Sequence, residues 1–224
     1  MSYTLQFGQV LPKLGYLLGG ALVSLQLSVL AFACGMAIGL AGAAAITLGP
    51  WPVARLVRCY VIFVTNTPQL VQIYLLFFAL PDFGILLSPF LAVLIGMTVN
   101  AGAYLTEIQR AGFLSVRQTE IDAAETLGMS RWQSIRHVIL PHILRVLFPP
   151  LSNQFVLMTL GSSMAAVFGV EELTGRALNL NATTFRSIEI FIIVALIYIA
   201  LSLIATILLA TFGRYALRTR MPLI

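Results

Sequence analysis

Five stretches of this chain contain no aspartate, glutamate, lysine or arginine: 41 residues from 14 to 54, 23 from 59 to 81, 24 from 83 to 106, 25 from 146 to 170 and 24 from 190 to 213. A helix crosses the hydrocarbon core of a bilayer with about 20 apolar residues, so each run is long enough to span. Inside lipid every backbone N–H and C=O must find its partner within the segment or around a closed barrel. Barrel strands are about 10 residues long and alternate in polarity, which these runs do not. The pattern therefore predicts an all-α integral membrane protein with five transmembrane helices, over Leu14 to Ala45, Val57 to Leu80, Leu86 to Thr106, Leu144 to Phe168 and Ile190 to Phe212. The 9% charged residues, against about 25% in a soluble domain, agree with it. Residues 1–224 are expected to form a single transmembrane domain.

Ala43-Ala44-Ala45 resembles a signal-peptide cleavage site, but the apolar run before it far exceeds the 7–15 residues of a signal core. It reads as a retained first helix. Orientation follows from the cations. Arg55, Arg58, Arg110, Arg117, Arg131, Arg136, Arg145, Arg214, Arg218 and Arg220 fall on one side, and Lys13, Arg176 and Arg186 on the other. Positive charge stays cytoplasmic, which predicts an N-out/C-in topology. The net charge of +5 follows from this arrangement, and no patch for nucleic acid is expected.

Several chemistries are excluded or unsupported. No GxxxxGK[ST] phosphate loop occurs, and Lys13, which precedes the first span, is the sole lysine. There is no nucleophile elbow and no HExxH pair. Cys34 and Cys59 form no spaced ligand set, and His137 and His142, five apart, read as polar residues near a helix end. No metal site and no catalytic residue are expected. Glu107 and Arg110, at i and i+3, read as a local ion pair at a cytoplasmic helix end.

Against this background the segment from Thr119 to Pro141 stands out, with three acids, two arginines and a histidine. Thr119 and Asp122 have capping-box spacing and predict a helix over Glu120 to Leu127, with Ile121, Ala124 and Leu127 on one face. Gly128 offers the left-handed stop. Ser130 and Gln133 repeat the box and predict a second helix over Arg131 to Leu140, punctuated by Pro141. Such a charged helix pair lies either on the membrane surface or in a groove of a partner.

The residues here carry a resemblance. Asp122-Ala123-Ala124, three residues, Gly128, nine residues, then Val138-Ile139-Leu140-Pro141 resembles the EAA loop of ABC importer permeases, with Asp for Glu and Val for Ile. Asn66-Thr67-Pro68-Gln69-Leu70-Val71-Gln72-Ile73, Tyr104-Leu105-Thr106-Glu107-Ile108-Gln109-Arg110, Pro149-Pro150-Leu151-Ser152-Asn153-Gln154 and Glu172-Leu173-Thr174 resemble segments of the polar amino-acid members of that family. Departures are Thr65, where many members carry Arg, and Gly161-Ser162-Ser163, where many carry Asp-Thr-Ser. The usual lysine is absent near Thr159 and Leu160.

The resemblance implies a type I ABC importer permease in a bacterial inner membrane. Its cytoplasmic loop, residues 110–141, would be a coupling helix seated on a separate ATPase, through Asp122, Ala123, Ala124, Leu127, Gly128 and Pro141. It also implies the partners: two ATP-binding subunits, a second permease copy or sister permease, and an extracytoplasmic substrate-binding protein. ATP and Mg would sit on the ATPase, with no cofactor on this chain, which is therefore not expected to be an enzyme.

Polar side chains inside membranes usually face protein or water. Asn66, Gln69, Gln72, Asn100, Tyr104, Asn153, Gln154, Ser162 and Ser163 are the candidates for a substrate path. Singly, each also fits the role of a hydrogen-bonding tie between helices. Gly35, Gly39 and Gly42 predict a close-packing helix face. The alternatives are a self-sufficient channel or secondary carrier, and a membrane anchor for a cytoplasmic partner. A carrier's inverted repeat is not visible across the five runs.

Overall fold

The computed structural model describes residues 4–217. Arg218 and Arg220, two of the cations assigned to the cytoplasmic side, lie outside the described residues. Among the described residues the chain is helical and without strands: α1 (Leu14–Leu48), α2 (Trp51–Thr65), α3 (Gln69–Tyr74), α4 (Pro89–Leu114), α5 (Gln118–Thr126), α6 (Arg131–Ser134), α7 (Leu140–Gly161), α8 (Leu173–Thr184) and α9 (Ser187–Phe212). Four stretches are long and apolar enough to cross a membrane: Phe7–Leu48, Pro89–Leu114, Arg131–Phe168 and Ser187–Leu217.

The second expected span, Val57 to Leu80, is not one helix. α2 ends at Thr65 and helical structure resumes only at Gln69, and the two pieces pass the length and composition test for a further span only when taken together. The cause is local. Pro68 has no N–H to give and forces the preceding Thr67 away from helical angles. The chain stops at Asn66, whose N–H and side-chain amide both return to the Ile62 carbonyl (3.2 and 2.8 Å), and restarts with Pro68 as N-cap of α3. Gln72 donates to the Thr67 carbonyl and hydroxyl (3.1 and 2.7 Å) and so satisfies groups that the break exposes.

A second boundary also differs from expectation. Pro141 does not end a helix at Leu140. α6 passes through a π turn, Ile135–Ile139, into α7, and the helical run continues to Phe168. A proline ring clashes with the carbonyl one turn back, and the wider π turn sits where that clash would fall. The fourth span therefore starts at Arg131, inside the charged loop, rather than at Leu144.

The chain divides into two compact units. Among the described residues one comprises 4–33, Thr67–Thr98 and Phe155–Ala205, the other Cys34–Asn66, Val99–Gln154 and 206–217. In the first unit, Leu17 and Ala21 of α1, Leu173 and Ala177 of α8, and Ile190 and Val194 of α9 are buried together. A buried carboxyl ties the same three helices. Glu172, fully buried, accepts the Gly175 N–H (2.9 Å) as N-cap of α8, the Ser24 hydroxyl from α1 (2.8 Å) and the Tyr198 hydroxyl from α9 (3.0 Å). The N-terminal segment is held to α9 by the Gln6 N–H, which donates to the buried Glu189 carboxylate (2.8 Å).

In the second unit, α1 and α4 approach closely through the predicted glycine face. A Cβ on Gly35 would stand 2.8 Å from the Ala101 Cβ, one on Gly39 2.8 Å from the Leu105 carbonyl carbon, and one on Gly42 2.5 Å from the Thr106 hydroxyl. Gln109 of α4 donates to the Met36 carbonyl of α1 (3.2 Å), and Tyr60 of α2 to the Val99 carbonyl of α4 (2.6 Å). Gly39 is the least forgiving position because its neighbour is backbone. Gly39→Val is expected to lower stability by about 1–3 kcal/mol, as overpacking does, read as a lower thermal midpoint in detergent. Gly15→Ala, with nothing within 4 Å of the added carbon, serves as the neutral comparison.

Candidate functional site

The charged loop is built from two short helices and a tight reversal. α5 starts two residues earlier than expected, with Arg117 as N-cap and no side-chain cap bond, so the Thr119/Asp122 box does not form. Asp122 accepts instead from Gln118 (2.9 Å), one turn back within α5. At the other end the termination follows the glycine signal. Gly128 has φ of +74°, its N–H bonds the Glu125 carbonyl (2.9 Å), and the Met129 N–H bonds the Ala124 carbonyl (3.1 Å). This is a Schellman closure, and it satisfies carbonyls that a helix end leaves open. The Ser130/Gln133 capping box forms in both directions and starts α6.

Ile121, Ala124 and Leu127 do not share one face. Ala124 is buried and Ile121 half-buried, whereas Leu127 is 81% exposed. Steps of three residues fall short of a full turn, so Leu127 lies about 120° around the helix from Ile121. Asp122, Ala123, Thr126 and Leu127 are exposed, and so is Trp132 at 68%. Trp132 was missed in the sequence; an aromatic in the first turn of a capped, charged helix is the signal that could have found it. Ile121, Met129, Ile135 and Ile139 line a cavity of about 250 Å³ rimmed by Glu125 and Arg131. Glu120 of α5 and His142 of α7 stand 3.6 Å apart and link the loop to the span that follows it.

The nine polar residues proposed for a path divide by what their side chains already do. Asn66 and Gln72 close the break before α3. Ser162, fully buried, donates to the Thr159 carbonyl (2.8 Å). Tyr104 points its hydroxyl at the Thr65 carbonyl, 3.5 Å away. Asn100 is buried and engaged. Gln69, Asn153, Gln154 and Ser163 make no side-chain hydrogen bond among the described residues. In the first unit the side-chain oxygen Oε1 of Gln69 lies 3.9 Å from where a Cβ on Gly161 would stand, next in sequence to Ser162 and Ser163. In the second unit Asn153 is exposed and Gln154 half-buried on α7.

The expected Glu107–Arg110 pair is present: Arg110 donates from Nη2 (2.6 Å) and Nε (3.1 Å) to one oxygen of Glu107. It lies in a second cavity, of about 450 Å³, together with Arg58 and Thr65.

Residues 35–216 match the family model described as the inner membrane component of binding-protein-dependent transport systems. The chain is 37% identical over 205 residues to the glutamine transport system permease protein GlnP of Escherichia coli strain K12, covering 91% of this chain and 94% of that protein. It is 35% identical over 202 residues to the L-cystine transport system permease protein TcyB of Bacillus subtilis strain 168, covering 88% and 86%. Among solved structures, a crystal structure of an amino acid ABC transporter with histidines superposes with a TM-score of 0.87 at 31% identity, covering 95% of this chain and 99% of that one. The MetNI methionine ABC transporter in an inward-facing form shares the fold, with a TM-score of 0.73 at 17% identity.

Proposed function

Because the chain belongs to the family of binding-protein-dependent transport system inner membrane components, we propose that it is the permease subunit of an ATP-driven importer of polar amino acids or related compounds. Two ATP-binding subunits would supply the motor, a second copy or sister permease would complete the path, and an extracytoplasmic binding protein would deliver the substrate. ATP and Mg would be held by the motor subunits.

The observation that carries this reading is the construction of the loop. α5 is closed by a Schellman turn at Gly128, Leu127 projects from its end, and the capped α6 runs without interruption into the span ending at Phe168. A partner that grips α5 and displaces it therefore moves a transmembrane helix, because no flexible linker lies between them. ATP binding on the partner favours one arrangement of the spans only through such a differential contact.

Gln69 and Asn153 are the residues we assign to the path, since their amides have no hydrogen-bond partner among the described residues and are free to meet a polar solute. Gln69→Ala is expected to lower ATP-dependent uptake about tenfold in proteoliposomes while the motor subunits still co-purify, consistent with the loss of one buried hydrogen bond to a charged solute. If Gln69→Ala and Asn153→Ala both transport normally, the path lies elsewhere. If the purified chain emerges alone and conducts solute without ATP, a channel or carrier replaces the importer.

A further inference from the structure

Two buried polar atoms at the charged loop have no hydrogen-bond partner among the described residues: Oε2 of Glu120 and Nε2 of His142. Buried polar groups are almost always paired, so an unpaired couple calls for a physical reason. The two side chains face each other. Nδ1 of His142 stands 3.6 Å from Oε2 of Glu120, beyond the roughly 2.7–3.2 Å of an N–H···O bond. Within ion-pair distance His142 is the one titratable partner of Glu120 among the described residues. The other charges of the region are engaged elsewhere. Arg110 pairs with Glu107, Arg145 donates to the Leu217 carbonyl, Asp122 accepts from Gln118, and His137 meets the Gln133 carbonyl. Glu125 and Arg131 stand at the rim of the loop cavity.

The pair lies where it can control the loop. α5 is attached to α6 at its C-terminal end, through the Gly128 turn, and Glu120 lies near its N-terminal end. Glu120 precedes Gly128 by eight residues, about 12 Å along a helix axis. A rod fixed at one end tilts about that point, and a push on it is partly absorbed by the tilt. The packing leaves room for this. Ile121 of α5 and Ile135 and Ile139 of the π turn line the cavity of about 250 Å³, so the two elements are not close-packed there. At a radius of about 12 Å, a tilt of about 3° brings a 3.6 Å separation to hydrogen-bond length. The closed contact fixes the second end of α5 directly to the fourth span, because His142 sits in the first turn of α7.

We propose that Glu120 and His142 form a latch between the loop and the fourth span. It is open in this structure, and it closes as a hydrogen bond from Nδ1–H of His142 to Oε2 of Glu120 when a motor subunit presses α5 toward α7. Both are positioning residues. The latch turns α5 from a helix hinged at Gly128 into a strut held at both ends, so that its displacement passes into the span rather than into tilt. It also supplies what a driven change of shape requires, a contact present in one arrangement and absent from the other. The proposal deepens the importer reading and rests on it.

The test uses the full chain assembled with its motor subunits and binding protein in proteoliposomes, with a mixture of labelled L-amino acids as the probe. The quantity measured is solute taken up per ATP hydrolysed. Glu120→Ala and His142→Ala are each expected to lower it about tenfold, the effect of one charge-assisted hydrogen bond. The double variant should lose no more than either single one, because both remove the same contact. His142→Gln, which keeps an N–H donor on a side chain of similar reach, should retain most of the coupling. The motor subunits should co-purify with every variant. Both side chains are about a third exposed, so truncation threatens no core.

A second measurement reads the contact itself. The chain has two histidines, His137 and His142, so nitrogen-15 labelling of histidine gives two imidazoles to follow. On addition of unlabelled motor subunits and a non-hydrolysable ATP analogue, the Nδ1 resonance of His142 should move to the position of a hydrogen-bonded nitrogen. His137→Gln assigns the signal. Losses that multiply in the double variant, an unchanged ratio in either alanine variant, loss of motor co-purification, or an Nδ1 resonance indifferent to the motor each overturn the latch. The importer reading is judged apart, on the parent complex. It fails if that complex takes up no amino acid with ATP. It stands, with the latch gone, if the alanine variants transport with undiminished coupling.

Discussion

Leu127→Arg is expected to reduce ATP-dependent uptake at least tenfold while leaving the amount of protein in the membrane unchanged. Leu127 is 81% exposed at the end of α5, so the new guanidinium meets solvent in the isolated chain and threatens no core. In the assembled importer the same position is proposed to sit in an apolar cleft of the ATPase, where an unpaired charge is costly and the centre of an interface dominates its energy. Leu127→Met keeps the volume and apolar character and is expected to be tolerated. The measurement is uptake beside co-purification of the motor subunits. Normal uptake and normal assembly in the arginine variant would remove Leu127 from the joint. Loss of insertion would show that the loop is part of the fold.

Glu172→Ala is expected to act in the opposite way, on stability before transport. The carboxyl is fully buried and accepts from Gly175, Ser24 and Tyr198, on three helices. The alanine variant removes the N-cap of α8 and leaves two hydroxyls and an N–H without that acceptor. A lost cap costs about 1 kcal/mol. Each buried group left unpaired adds about 1–3 kcal/mol in water-soluble proteins, and the contribution is smaller in membranes, where the reference state also finds partners. A total of about 2–4 kcal/mol is therefore expected, enough to reduce accumulation several-fold. Glu172→Gln keeps an acceptor at the same reach and should recover a large part of the loss. Thermal unfolding in detergent separates the two variants. Equal midpoints for Glu172→Ala and the parent would mean that the apolar cluster around Leu173 and Ile190 alone holds α8.

The loop and the spans were legible to different depths. Charge-free runs located the transmembrane material because a bilayer imposes length and polarity on any segment that crosses it. Gly128, Ser130 and Gln133 marked a stop and a restart correctly, since left-handed φ and a reciprocal cap depend on a few adjacent residues. Thr119 and Asp122 carried the same kind of signal and misled. The helix begins earlier, and Asp122 is bonded to Gln118. Pro141 misled because a π turn absorbs it, and Pro68 produced a full break because Asn66 and Gln72 seal the ends it opens.

By itself, then, the sequence determined what lipid and local backbone geometry dictate: five apolar segments, a cation-rich side, a glycine face on the first helix and a capped, charged interruption before the fourth. Its motifs identified the family. The tertiary structure decided what depends on residues far apart in the chain. It joined Ser24, Glu172 and Tyr198 through one carboxyl, turned Leu127 outward while Ala124 turned in, and set Arg58 and Thr65 in one cavity with Glu107 and Arg110. The physical reason is that periodicity and capping act over one or two turns. A buried polar group or an unmatched charge is defined by neighbours that only the packed helices supply.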